Sequence, residues 1–206
     1  MILGYAEQLK SAKNLNNEEK NKANVICVQS VKIKNLINDL NLASKLEYNM
    51  QPLKKEKISL LTVARQTVAE FLNSNYTEKY EFDFKNDNNS DFNICADASL
   101  IKRAISNLIQ NSCTHNPDGC KISITLKQKE NAVILEIKDN GVGADEKTLY
   151  KLNNEPHYMV CDNKVDGQRH GLGLKIVQQI MEVHNGSFEI SGKSNEYFSA
   201  KMIFNI

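Results

Sequence analysis

The most constraining feature of this chain is a pair of alternating runs. Ile122, Ile124 and Leu126 alternate with polar residues, and Val133, Leu135 and Ile137 do the same beyond the Lys129–Ala132 turn. Period-two alternation puts the apolar side chains of both runs on one face, which predicts an antiparallel hairpin with one buried side. A third alternation, Phe198, Ala200, Met202, Phe204 and Ile206, predicts a terminal strand. Those apolar faces need a cover, and helical periods supply one. Leu60–Leu72, Ala98–Cys113 (with Ile101, Ile105, Leu108 and Ile109 inward) and Leu172–Val183 read as helices. Tyr80–Phe84, Phe92–Cys95 and Ser187–Ile190 read as short strands. Helices on one face of a mixed, mostly antiparallel sheet make an α+β fold, a two-layer α/β sandwich spanning residues 57–206.

Residues 1–50 follow a different pattern. They contain no proline and only one glycine, Gly4. Ile2, Tyr5, Ala6 and Leu9 mark one face of a short helix, Asn14–Asn17 reads as a turn, and a longer helix begins at Asn21. In that helix Ile26, Ile33 and Leu40 recur every seven residues, as do Leu36 and Ala43. Such a seam suits a helical hairpin that pairs with a second copy, or one amphipathic helix packed on its own domain. Two short helices cannot close a core alone, which favours self-association. Gln51-Pro52 ends the segment and opens a linker, residues 51–56, that carries Lys54 and Lys55.

Composition excludes several classes. A net charge of +1 gives no global electrostatic case for nucleic acid or an anionic membrane surface as partner. No run of apolar residues is long enough to span a bilayer, and the first ten residues lack signal-peptide character. Five cysteines with no C-x-x-C pair read as reduced cytosolic thiols, not as a zinc or disulfide framework. Lysine outnumbers arginine 23 to 3, so Arg65, Arg103 and Arg169 stand out as places where a rigid, always-charged fork is wanted. Of nine glycines only Gly4 precedes Gly119, while Gly141, Gly143, Gly167, Gly171 and Gly173 crowd together.

Three clusters carry candidate chemistry. In the first, Asn107 and Asn111 lie four apart, so both carboxamides leave one helix face, and His115 lies one turn further on. A neutral amide oxygen can ligate Mg²⁺ without neutralising phosphates held by the same metal. The second is Asp139-Asn140-Gly141-Val142-Gly143 at a strand end. There a carboxylate can accept from an exocyclic amine while glycine backbone lies against a flat ring. D-N-G is also an ordinary hairpin turn, but this one leads into the helical pattern Glu146–Leu152. The third runs from Gly167 through Arg169, His170 and Gly171 to Leu172 and Gly173, opening a helix whose amides and dipole suit phosphate. About thirty weakly patterned residues separate the second and third clusters, which predicts a mobile lid over Ala144–His170.

In this order and spacing the clusters strongly resemble the ATP-binding domain of sensor histidine kinases, part of the family shared with gyrase, mismatch-repair and heat-shock chaperone ATPases. Asn107–Asn116 looks like that family's asparagine box, Asp139–Gly143 its first glycine box and Gly167–Leu174 its second. The resemblance implies ATP and Mg²⁺ as ligands. Asp139 would bind the adenine amine and Asn111 the metal, with Asn107 near the phosphates and His115 over base or ribose. Gly141 and Gly143 would pass under the base, Gly171, Leu172 and Gly173 would cradle the phosphates, and Arg169 would steady the terminal one. Thr114 departs from the pattern, because many members carry a phosphate-reaching lysine there. His157 and His184 match no family role and read as surface or structural residues.

Residues 1–50 are similar to part of the dimerising, phosphoacceptor-bearing hairpin of histidine kinases. All four histidines (His115, His157, His170 and His184) lie in the second part, so the resemblance places the acceptor histidine upstream of Met1. It implies a cytoplasmic kinase core, part of a membrane-anchored sensor, that transfers the γ-phosphate of ATP to a histidine and then to a response regulator receiver domain. The full-length protein would be a homodimer through the hairpin. This chain alone would bind ATP without phosphorylating itself. The alternatives are a conformational ATPase, which would need a further transducer domain, and an anti-sigma-type serine kinase, which would not need the hairpin.

Overall fold

Asn16 starts the long N-terminal helix earlier than its apolar pattern indicates. The computed structural model describes residues 2–11, 16–73, 79–86, 92–154 and 172–206, and its contacts divide the chain into two units, Met1–Ser44 and Lys45–Ile206. Helices α1 (Ile2–Ser11) and α2 (Asn17–Glu47) make up the first, the last three residues of α2 belonging to the second. Asn16 Oδ1 accepts the Glu19 N–H at 2.9 Å and Glu19 Oε2 accepts the Asn16 N–H at 2.9 Å. This reciprocal cap starts the helix at Asn17 and not at Asn21. In the single chain the heptad positions Ile26, Ile33 and Leu40 are 45%, 57% and 54% exposed, whereas Ala43 is buried. Helix α2 ends on Asn49, whose φ of 52° is left-handed. The Asn49 N–H donates to Leu46 O and the Met50 N–H to Lys45 O, a Schellman closure just before Pro52.

In the second unit the chain enters structure before the expected linker is complete. Strand β1 (Glu56–Ser59) pairs antiparallel with β3 (Asn93–Ala96), and the Leu60 N–H extends that pairing to Phe92 O. Helix α3 (Leu60–Asn73) follows, then β2 (Tyr80–Asn86), α4 (Ala98–His115), β4 (Cys120–Lys129) and β5 (Ala132–Asp139). After these come α5 (Glu146–Asn154), α6 (Leu172–Val183), β6 (Ser187–Lys193) and β7 (Tyr197–Asn205). The main sheet has the order β2-β4-β5-β7-β6. Its β2–β4 pair is parallel and the other three are antiparallel. Strands β2 and β3, neighbours in sequence, belong to different sheets, because β2 takes the open edge of β4 while β3 takes β1.

The core is what the alternating runs require. Ile122, Ile124, Leu126, Leu135 and Ile137 are buried, as are Ala200, Met202 and Phe204. Over them lie Ile101, Ile105 and Ile109 of α4 and Ile176, Val177 and Ile180 of α6. Helix α4 packs on β4, β5 and α6, and α6 also packs on β6 and β7. Burying each such side chain contributes about 1.5–3 kcal/mol, which fixes α4 and α6 over the sheet.

The two helix ends nearest the linker are tied together. Asp97 caps α4, its Oδ1 accepting the N–H groups of Ser99 and Leu100, and its Oδ2 accepts the Lys54 N–H at 2.9 Å. Burial alone would raise the Asp97 carboxyl, but hydrogen bonds from the Ser99 hydroxyl and from the amides of Lys54, Leu100 and Ser99 hold it below the usual range. The Asp97 N–H in turn donates to His184 Nε2 at 3.0 Å, while His184 Nδ1 faces Ile180 O at 2.7 Å. A ring that accepts at Nε2 is neutral and protonated on Nδ1, so His184 is structural. Lys55 Nζ donates to Val183 O beside it.

Candidate functional site

Helix α4 is amphipathic, and its two faces divide the work. The buried stripe of Leu108, Ile109 and Cys113 anchors it, while Asn107 and Asn111 are half-buried on another face. Asn107 Nδ2 donates to Gly173 O at 3.4 Å, which brings the first turn of α6 beside α4. The Asn111 carboxamide makes no hydrogen bond with a described residue. Among the described residues no group of three or more His, Cys, Asp or Glu is placed to hold a metal. Asn111 is a fitting donor for a hard cation such as Mg²⁺ that takes its other oxygens from a bound ligand. Thr114 bonds back to Gln110 O at 2.7 Å, so its hydroxyl is occupied within the helix. His115 is exposed at the helix end; crowding of its ring lowers its pKa, and the charge of Asp139 acts the other way.

Asp139 ends β5 with its side chain inside the protein, 2% exposed. Its Oδ2 accepts from Ser112 Oγ at 2.8 Å. Its Oδ1 accepts from Asn116 Nδ2 and from the Gly141 N–H, each at 3.2 Å. A carboxylate offers about four acceptor positions, so described residues fill three and leave one on Oδ2. The loop after it is clamped from both sides. Asn116 Oδ1 accepts the Val142 N–H at 2.8 Å, and Val142 O accepts the Asn195 N–H at 2.7 Å. Asn140 keeps the β4 edge satisfied through its side chain, its Oδ1 accepting the Lys121 N–H at 2.8 Å.

The glycines divide into two kinds. A Cβ at Gly141 would overlap the Asn116 carboxamide, and one at Gly143, where φ is 63°, would overlap the Lys193 carbonyl. Both are demanded by the protein's own packing, whatever lies above them. Gly173 is different: a Cβ there would meet only Asn107 Cβ and Cγ at 3.9 Å, an ordinary contact. Nothing in the described protein requires glycine at that position.

The structure thus sets Gly173, with Leu172 beside it at the start of α6, against Asn107 in the middle of α4, and brings Asp139, Gly141 and Gly143 into one clamped loop. Arg169 and Gly171 lie outside the described residues, as does the expected lid beyond Asn154. The start of that lid, Glu146–Asn154, is the regular helix α5. Sequence reasoning missed Ser112 and Asn116, two buried donors to Asp139. Their signal was present: two polar residues four apart, one on the apolar side of α4 and one capping its end. A cleft of about 270 Å³ opens beside the loop, lined by Asn116, Pro117, Asp118, Gly119, Gly141, Val142 and Asn195. Of the residues given a nucleotide-binding role from the sequence, Gly141 alone lines it.

The nearby thiols are inert. Burial, Cys120 and the Asp139 charge push Cys113 up to about 12. Burial and Asp139 push Cys120 to about 11 against a hydrogen bond from Asn116. Neither is a thiolate at neutral pH.

The chain is similar to known proteins. Residues 96–204 match the family model described as histidine kinase-, DNA gyrase B-, and HSP90-like ATPase. The chain is 30% identical over 94% of its length to sensor histidine kinase YvrG of Bacillus subtilis (strain 168), and spans 33% of that protein. Among solved structures it is similar to full-length ShkA in complex with AMPPNP, with a TM-score of 0.77 and 16% identity, over 98% of this chain and 42% of that one. It is also similar to histidine kinase ThkA in complex with response regulator protein TrrA, with a TM-score of 0.71 and 21% identity, over 99% of this chain and 56% of that one.

Proposed function

Because this chain belongs to the histidine kinase-, DNA gyrase B- and HSP90-like ATPase family, we propose that residues 57–206 are the Mg-ATP-binding domain of a two-component sensor histidine kinase. The observation that carries this reading is the Asp139 carboxylate, buried, held by three donors and left with one acceptor position. Only a donor group fits that position, and the exocyclic amine of adenine is one. Asn107, Leu172 and Gly173 line the phosphate side, joined by Arg169 and Gly171 on the strength of the sequence, and His115 covers the base or ribose. Asn111 ligates Mg²⁺, which when bound offsets phosphate charge during transfer. The residues of this chain orient the nucleotide and hold its charge in place.

Residues 1–50 belong to the dimerising hairpin in this reading and residues 51–56 to the linker. The open seam of Ile26, Ile33 and Leu40 supports a homodimer. The γ-phosphate passes to a histidine and then to an aspartate of a response regulator receiver domain, a partner class supported by the likeness to the ThkA–TrrA complex. No described helix is long and apolar enough to cross a membrane, and we place the domain on the cytoplasmic side of a membrane-anchored sensor. Phosphoryl transfer needs an in-line nucleophile, and the hairpin of this chain has no histidine. In this reading residues 1–50 do not supply the acceptor. Incubation with γ-labelled ATP and Mg²⁺ tests this. No acid-labile label is expected on this chain, and label is expected when a histidine-bearing hairpin of a related kinase is added. Acid-labile label on this chain alone refutes the arrangement.

A further inference from the structure

Asn116 was not among the residues assigned a role at the site, yet it lies against Asp139, Gly141 and Val142. It is 4% exposed, and both ends of its carboxamide are engaged. Nδ2 donates to Ser112 O at 2.8 Å and to Asp139 Oδ1 at 3.2 Å, while Oδ1 accepts the Val142 N–H at 2.8 Å. The opposite amide orientation would set its N–H groups against the Val142 N–H and its oxygen against the Ser112 carbonyl. Its orientation is therefore imposed by the network around it.

We propose that Asn116 is the positioning residue for base selection: it orients Asp139 so that the single open acceptor position faces the ligand and admits a purine with a 6-amino group over one with a 6-oxo group. With Asn116 and the Gly141 N–H on Oδ1, that oxygen is saturated, and the opening is confined to Oδ2 beside Ser112. A 6-amino group donates there. A 6-oxo group turns a lone pair toward a carboxylate and is rejected. Without the Asn116 donor, Oδ1 keeps only the Gly141 N–H, the carboxylate is free to turn, and the vacancy is no longer fixed. The same side chain fills the space under Gly141, so base selection and loop shape depend on one residue. This inference rests on the nucleotide reading above.

The test compares Mg-ATP with Mg-ITP, its 6-oxo counterpart, by calorimetric titration of the whole chain. Wild type is expected to favour ATP by about tenfold or more. Asn116→Leu keeps about the size but removes both the donor and the acceptor for the Val142 N–H; Asn116→Ala removes the bulk as well. In each variant ATP affinity is expected to fall about tenfold with ITP affinity little changed, so the preference collapses. A folded variant that keeps the wild-type ratio, including one that weakens both nucleotides equally, overturns the inference. So do a wild type that binds both nucleotides equally, and failure of both variants to fold, which would make Asn116 a residue of the fold alone. A wild type that binds neither nucleotide refutes instead the ATP reading beneath it.

Discussion

Gly173→Ala separates a glycine kept for folding from one kept for a ligand. Gly173 is the second residue of α6, and among the described residues outside its own helix a Cβ there would meet Asn107 Cβ and Cγ alone, at 3.9 Å. The added methyl group therefore costs no packing, and alanine gains the backbone preference that glycine lacks in a helix, about 0.5–1 kcal/mol. For a unit of this size that raises the melting temperature by roughly 1–4 °C. The same methyl group would stand where the proposed phosphates approach the first turn of α6. Crowding of that kind costs about 1–3 kcal/mol, or about five- to 150-fold in Mg-ATP affinity. Thermal melts of wild type and variant, with and without saturating Mg-ATP, read both effects: the variant should melt higher alone and gain less from nucleotide. A melting temperature several degrees lower contradicts the packing at Gly173. An unchanged affinity contradicts the placement of phosphates at the start of α6.

Gly141→Ala should behave in the opposite way, because its Cβ would overlap the Asn116 carboxamide; destabilisation of about 1–3 kcal/mol is expected by urea unfolding without any nucleotide. Gln179 is 6% exposed, and its Oε1 has no hydrogen-bond partner among the described residues. Gln179→Met should raise stability by about 1 kcal/mol in the same assay, and a loss would point to a bond outside those residues. Burial lowers the His184 pKa from 6.5, the nearby Lys55 charge adds to this, and the Ile180 carbonyl and Asp97 oppose it. The neutral ring is the native form, so its contribution is complete above about pH 6.5 and is lost as pH falls through the lowered value. Unfolding free energies at pH 7.5 and 5.5 should differ more in wild type than in His184→Gln, and equal differences would contradict the Asp97–His184 bond.

Much of this was legible in the sequence because period-two alternation is unambiguous when one face is buried. The runs at Ile122, Val133 and Phe198 set three sheet strands and the covering faces of α4 and α6. What escaped was governed by single hydrogen bonds and not by periodicity. The Asn16–Glu19 cap moved the start of α2. Strand β1 has only four residues and is defined by its partner β3, so no local pattern announces it. At the site, the spacing of Asn107 and Asn111 singled out one face of α4, and the D-N-G-V-G run singled out the loop after β5. At Gly141 and Gly143 the sequence shows a need for glycine but not that the Asn116 and Lys193 groups impose it from within the protein.

The central claim is that the Asp139 carboxylate and the Asn111 carboxamide are the decisive contacts for Mg-ATP. Calorimetric titration of Mg-ATP into wild type, Asp139→Asn and Asn111→Ala tests it most directly. Wild type is expected to show saturable, Mg²⁺-dependent binding, with a loss of about 1.5–3 kcal/mol in Asp139→Asn, roughly ten- to 150-fold. Asn111→Ala is expected to lose most of the Mg²⁺ dependence. Wild-type affinity retained in both variants would contradict it.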